Sequence, residues 1–436
     1  RRFMLHFHAP ENWINDPNGF IFYNQQYHLF SQYFPYGKRW GTMHWRHAVS
    51  EDLVCWKDLG IALFPSRPED QNGVFSGSAI EKDGQLHLFY TGVQYQDFAE
   101  NNIHKNGPKG FLSWQLALTS PDGYTFDNFD GKKVVVPLST DPEIYDPQHT
   151  RDPKVWKSEH GYTMVLGSTV QKQGRLLFFV SEDLEHWTLK NTFQKEGLGW
   201  MFECPDLFEV DGQHVLLFSP EGTGPYGFDK NQAYIALADF DPSDCALDLP
   251  KPVEPIDWGM ELYAPQSNID SNGRRTVMIW LRMPSDFAAE KWIGLYTYPR
   301  VLNIENGNPK WSVHPNVLKR FSQKAEFGRL DPNAPFRMQT TLKKGETMNA
   351  FGLKIGFDGT ALYTDRSAII TTPGLSPAAY VPCEGQEVKL DLFGDKYVFE
   401  LFVNEGQQVL TQYVNGFENA VDSIPSQAVL TTTEEC

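Results

Sequence analysis

The amino-acid sequence predicts an all-β chain: a five-bladed β-propeller followed by a C-terminal β-sandwich. Three observations predict it. Short runs rich in Val, Ile, Leu, Phe and Tyr are cut by Gly, Asn and Asp turns, with little helical periodicity. One unit of strand, tight turn and hydrophobic strand recurs along roughly the first 300 residues. The pattern then changes after about residue 305.

The first unit runs from Asp16-Pro17-Asn18-Gly19-Phe20 through a turn at Asn24-Gln25-Gln26 into Tyr27-His28-Leu29-Phe30. The second runs from Ser76-Gly77-Ser78 through Asp83-Gly84 into Gln85-Leu86-His87-Leu88-Phe89-Tyr90. The third starts at Asp152-Pro153-Lys154 and turns at His160-Gly161. The fourth starts at Cys204-Pro205-Asp206 and turns at Asp211-Gly212, and the fifth starts at Ala264-Pro265-Gln266 and turns at Asn272-Gly273. Spacings of about 50 to 75 residues leave room for four strands each, the content of a propeller blade. A second echo, Ser50-Glu51-Asp52-Leu53 ahead of Trp56, returns as Ser181-Glu182-Asp183-Leu184 ahead of Trp187. The propeller is expected over residues 1–305. Asn306-Gly307-Asn308-Pro309 and His314-Pro315 read as a linker over 306–318. Alternating runs such as Val388-Lys389-Leu390-Asp391-Leu392-Phe393 predict the sandwich over 319–436.

Composition excludes some functions. The net charge of −17 repels phosphate backbones and anionic membranes, so neither nucleic acid nor a membrane is expected as partner. No apolar run approaches the roughly 18 residues of a membrane span. The five cysteines are scattered and odd in number, which suggests neither a disulfide framework nor a zinc site. No apolar leader core follows Arg1-Arg2-Phe3, and no Asn-x-Ser/Thr acceptor occurs. A cytoplasmic location is the expectation, with secretion the alternative.

The chemistry is expected where the repeats converge. Innermost propeller strands line a central funnel, and the residues just ahead of the first strands put Asp16, Asp152 and Glu203 at its mouth. Like charges held close cannot all stay ionised cheaply, so one carboxyl should have a raised pKa, as acid/base and nucleophile chemistry requires. Asn15, Gln32, Ser76, Arg151 and Gln266 offer hydrogen bonds to sugar hydroxyls. Trp13, Trp40, Trp45, Phe75, Trp200 and Tyr263 offer apolar or stacking faces. Taken singly, Asp16 also suits a turn cap and Arg151-Asp152 an ion pair. His6 and His8, on alternate positions of one strand face, read as packing or rim residues. Cys204 lacks an identifiable basic partner for a nucleophilic role.

The blocks Trp13-Ile14-Asn15-Asp16-Pro17-Asn18-Gly19, Phe75-Ser76-Gly77-Ser78, Arg151-Asp152-Pro153-Lys154, Glu203-Cys204-Pro205-Asp206 and Tyr263-Ala264-Pro265-Gln266 resemble, in order, the signature blocks of the invertase and fructanase family of glycoside hydrolases, family 32. Trp292-x-Gly294 and Phe399-Glu400-Leu401-Phe402 resemble its later blocks. The resemblance implies a retaining β-fructofuranosidase acting on sucrose, sucrose 6-phosphate or short fructo-oligosaccharides, without metal or cofactor. It implies Asp16 as nucleophile, Glu203 as acid/base and Asp152 as transition-state stabiliser. Asn15, Gln32, Trp40, Phe75, Ser76, Arg151, Tyr263 and Trp280 are the expected substrate-binding residues. Arg46 stands where many relatives have Gly, and Arg282 follows the apolar strand near the expected rim; both are candidates to meet a substrate phosphate, with an ordinary surface or ion-pairing role the alternative. A fructosyltransferase with the same machinery, a silent sugar-binding propeller and an inverting arabinanase-like enzyme are the alternatives. A monomer or homodimer is expected.

Overall fold

The computed structural model describes residues 3–222 and 231–436. It is all-β. Five sheets, antiparallel but for one short strand of the first, follow one another along the chain. The first contains Asn12–Tyr23, Gln26–Phe34, His44–Ser50 and Lys57–Leu63, and the second Val74–Lys82, Gln85–Tyr95, Phe111–Ser120 and Lys132–Val136. The third contains Arg151–Ser158, Gly161–Val170, Gln173–Ser181 and Thr188–Gln194. The fourth is built on Met201–Val210, Gln213–Glu221 and Tyr234–Asp241, and the fifth on Leu262–Ile269, Arg275–Leu281, Arg300–Glu305 and Asn308–Val313.

The leading strands of neighbouring sheets pack in a closed cycle: 12–23 on 74–82, on 151–158, on 201–210, on 262–269, and back on 12–23. The cycle is sealed where Trp292–Ile293 pairs in parallel with Asn12 and Trp13. The turn echo noted in the sequence has a common geometry. Oγ of Ser50 and of Ser181 accepts from the backbone N–H three residues on. Leu53 and Leu184 take left-handed φ values of 69° and 68°, and the Trp56 and Trp187 indoles donate to their carbonyls. A third copy at Ser120-Pro121-Asp122-Gly123, where Gly123 N–H donates to Ser120 Oγ, escaped the sequence reading because glycine replaces leucine.

The expected linker is corrected. Asn308–Val313 is the outer strand of the fifth sheet, paired along its length with Arg300–Glu305. Pro309 is tolerated because this is an edge strand, where a missing N–H leaves no ladder bond unmade. A short helix, Pro315–Leu318, then leads to two further sheets. One carries Phe336–Lys343, Glu387–Asp395, Val398–Val403 and Gln408–Tyr413, and the other Thr347–Ala350, Leu353–Phe357 and Ala361–Asp365. Their facing apolar residues, Met338, Leu353, Ile355, Leu392 and Leu401 among them, form a separate core.

A second correction concerns the cysteines. Cys55, just before the outer strand of the first sheet, is bonded to Cys436 across 381 residues. Neither neighbourhood marks the pairing in sequence, because only the folded chain brings them together.

His6 and His8 lie outside any strand. His8 stacks on Trp292. His6 is fully buried, its Nδ1 2.6 Å from Asp395 Oδ2 and its Nε2 2.6 Å from Glu400 Oε2. Glu400 also accepts from Arg300 Nη2 at 2.7 Å, and Arg300 Nη1 lies 3.2 Å from Asp257. The N-terminal segment, the fifth sheet and the sheet carrying Glu387–Asp395 and Val398–Val403 thus share one buried ionic network. Burial alone would lower the His6 pKa, but its bonds to the two carboxylates raise it to about 9. A folded-state pKa above the unfolded value adds stability that is complete below about pH 6.5 and lost as pH rises through about 9. His6→Ala, which strands the carboxylates, is expected to cost roughly 3–5 kcal/mol at neutral pH. It should also flatten the alkaline decline in stability, as denaturant unfolding across that pH range will test.

Candidate active site

Each leading strand is interrupted at the same level. Register shifts fall at Asn15-Asp16, Phe75-Ser76, Asp152-Pro153, Cys204-Pro205 and Ala264-Pro265. Such bulges put two residues opposite one and re-aim the side chains. Three of the residues ahead of proline, Asp152, Cys204 and Ala264, sit at φ 69°, 48° and 55°. This left-handed backbone costs about 1 kcal/mol or more per non-glycine residue. Gly77 lets the second sheet's bulge close up, since a Cβ there would lie 1.7 Å from the Phe89 carbonyl oxygen.

These bulges deliver Asp16, Asp152 and Glu203 into one pocket of about 380 Å³. They lie within the strands rather than ahead of them. They also do not share one register: Asp16 and Asp152 occupy bulges, whereas Glu203 is still paired with Ser219 just before one. Asn15, Gln32, Trp40, Phe75, Ser76, Arg151, Tyr263 and Trp280 line the same pocket. Trp13, Trp45 and Gln266 do not. The Trp13 indole instead donates to Asn15, the Trp45 indole to the Phe75 carbonyl, and the Gln266 amide to Gly77.

Asp16 accepts at Oδ2 from Ser76 Oγ (2.5 Å) and at Oδ1 from Asn15 Nδ2 (3.1 Å). Burial and the Glu203 charge still push its pKa up. Asp152 accepts from Cys204 N–H at 2.9 Å, and burial followed by Glu203 raises it to about 7. Glu203 accepts from Tyr263 Oη at 2.6 Å and from Arg151 Nε at 3.1 Å. Burial pushes Glu203 up, but the Arg151 charge and its hydrogen bonds hold it below the usual range. Arg151 also donates to His149 Nδ1 at 2.9 Å. Burial and Arg151 lower His149 to about 4, so its ring is neutral.

Sequence reasoning missed Phe111, His149 and Glu221. His149 lies two residues before Arg151 but outside the strand, in a bend that the repeat does not cover. Glu221 closes a second strand rather than a leading one, and no repeat marks it. Trp40, Phe75, Phe111, His149 and Trp200 form a run of edge-to-face contacts 4.9–6.0 Å apart. This makes an aromatic wall beside the carboxyls. The Cys204 Sγ and oxygens of Asp16 and Asp152 cluster within 4.8 Å, a spacing that suits a metal ion. Burial and the surrounding carboxylates push the thiol far up, so Sγ–H donates to Asp16 and Asp152 instead of serving as a thiolate. Arg46 and Arg282, the candidates for a phosphate, do not line this pocket. Arg46 is bidentate with Asp58 at 2.8 Å, and Arg282 donates to the Met260 carbonyl behind Tyr263.

Convergent carboxyls with separated pKa values, hydroxyl-binding groups and an aromatic wall suit the cleavage of a bond between sugars. The protein is a glycoside hydrolase. Residues 6–315 match the family model described as the glycosyl hydrolases family 32 N-terminal domain, and the chain belongs to that family. A sucrose-6-phosphate hydrolase of Escherichia coli is 31% identical, over 94% of this chain and 89% of that protein. A raffinose invertase of the same species is 30% identical over the same shares. Among solved structures, a Bombyx mori beta-fructofuranosidase superposes with a TM-score of 0.81 at 26% identity, covering 99% of this chain and 93% of that one. A Lactobacillus gasseri sucrose-6-phosphate hydrolase shares the fold, with a TM-score of 0.84 at 24% identity over 99% and 93% of the two chains.

Crowded, desolvated carboxyls destabilise the fold that holds them. Asp16→Asn keeps the shape and the Ser76 contact while removing one charge. It is expected to stabilise the protein by about 1 kcal/mol at neutral pH, read as a higher melting temperature.

Proposed function

We propose that the protein is a retaining β-fructofuranosidase on a five-bladed β-propeller braced by a C-terminal β-sandwich. The observation that carries this reading is the meeting of Asp16, Asp152 and Glu203, from three different sheets, in one pocket. The closed cycle of leading strands supports the propeller.

Asp16, oriented by Ser76 and Asn15, attacks the anomeric carbon of the fructosyl unit. Glu203 protonates the glycosidic oxygen, the bond breaks, and the aglycone leaves as an alcohol. Glu203 then takes a proton from water, whose oxygen displaces Asp16 and returns the carboxylate. Two inversions give net retention. Asp152 faces the fructosyl ring, where a carboxylate stabilises the positive charge that develops in the transition state and holds the sugar hydroxyls. The aromatic wall supplies apolar faces for the aglycone.

The substrate class proposed is sucrose and short fructo-oligosaccharides without phosphate. Engagement of Arg46 and Arg282 outside the pocket supports this over the 6-phosphate. The disulfide between Cys55 and Cys436 supports an oxidising compartment over the cytoplasm.

Asp16→Ala and Glu203→Ala are expected to lower kcat on sucrose by about 10³-fold or more while the proteins remain folded. Near-normal turnover by either variant overturns the assignment. Sucrose should exceed its 6-phosphate in kcat/KM by at least about tenfold. Methanolysis should yield the methyl β-fructofuranoside, and the α-anomer would indicate inversion. Mostly free fructose at high sucrose indicates hydrolysis, whereas longer oligosaccharides indicate transfer.

A further inference from the structure

The proposed mechanism asks Glu203 to donate a proton, yet its two closest partners both favour the ionised form. The Tyr263 hydroxyl donates to one oxygen and the Arg151 guanidinium to the other. A third neighbour resolves the conflict. Glu221 ends the strand Gln213–Glu221, opposite Met201 on the strand that carries Glu203. Its carboxyl lines the pocket with that of Glu203, and the two reach the same guanidinium: Glu221 Oε1 lies 3.9 Å from Arg151 Nη2 and Glu203 Oε2 lies 3.1 Å from Arg151 Nε. Two buried carboxylates crowded onto one guanidinium repel each other, and a single proton held by the pair removes that repulsion.

We infer that Glu221 is a positioning residue that stores the proton Glu203 delivers. The pair's single proton rests on Glu221, crosses to Glu203 and is passed by Glu203 to the glycosidic oxygen as the carbon–oxygen bond breaks, leaving both carboxyls ionised. When Glu203 later deprotonates the attacking water, the proton returns to Glu221, and the pair again holds one. Arg151, within reach of both carboxyls, offsets the charge that appears in between.

The surrounding groups agree. Asp16 faces the pair from the first sheet, Asp152 and Arg151 from the third, Cys204 from the fourth and Tyr263 from the fifth, with His149 neutral beside Arg151. Burial, then the Glu203 charge, raises Glu221 to about 8. Such a pair titrates as a unit.

This inference rests on the β-fructofuranosidase reading for its kinetic part. The test compares wild type, Glu221→Gln and Glu221→Asp in pH profiles of kcat/KM, with sucrose and with an aryl β-fructofuranoside whose phenol leaves without protonation. Glu221→Gln should move the alkaline limb for sucrose to lower pH by about one unit or more. The limb for the aryl substrate should stay in place, the melting temperature should be retained, and Glu221→Asp should restore the sucrose limb in part. An unmoved sucrose limb, or equal shifts with both substrates, overturns the proposal. A titration of free enzyme carrying 13C-labelled glutamate gives an activity-independent readout. One carboxyl should titrate near pH 8 in the wild type and vanish in Glu221→Gln. If no glutamate titrates above about pH 6, the shared proton is refuted. If one does but sucrose is not cleaved, the enzymatic reading fails alone.

Discussion

Mutual repulsion among buried carboxyl groups is the constraint around which this structure is arranged. Asp16, Asp152, Glu203 and Glu221 share one pocket with the Arg151 guanidinium. Left to themselves they would separate or take up protons. Three of them are instead tied to different partners. Ser76 holds Asp16, the Cys204 amide holds Asp152, and Tyr263 with Arg151 holds Glu203. The holders come from sheets other than that of the group they hold. The site is therefore stable only as long as the ring of sheets is closed, and the strained residues ahead of Pro153, Pro205 and Pro265 are kept in place by that same closure.

Away from the pocket the same problem is met differently. Asp395, Glu400 and Asp257 are fully buried, but His6 and Arg300 neutralise them with direct ion pairs. Charge is compensated where it serves structure and left under-compensated where it serves chemistry. On the mechanism proposed above, a neutral sugar brings no charge of its own, so the imbalance persists until a positive transition state forms.

Much of this was legible in the sequence because repeats carry register. A unit that recurs at Asp16, Ser76, Asp152, Cys204 and Ala264 says that those positions are spatial neighbours, and the aromatic and amide residues beside them follow. What lies off the repeat was not legible. Glu221 enters from a second strand, and the Cys55–Cys436 bond joins the first sheet to the far end of the chain. Asn306-Gly307-Asn308-Pro309 has the composition of a linker, but it turns a hairpin at the sheet edge, where composition and position cannot be told apart. The exact rank of Glu203 was misplaced for a related reason: a bulge shifts side-chain direction by one residue, which a strand-level alignment does not resolve.

The parallel pairing of Trp292 and Ile293 with Asn12 and Trp13 bears on how the protein is made. A ribosome releases the segment bearing Asp16 early and the segment that seals it late. During the interval, about 280 residues of synthesis, the first sheet waits with an open edge. Its leading strand is the one that carries Asp16, so the pocket of carboxyls is among the last parts of the nascent polypeptide to mature.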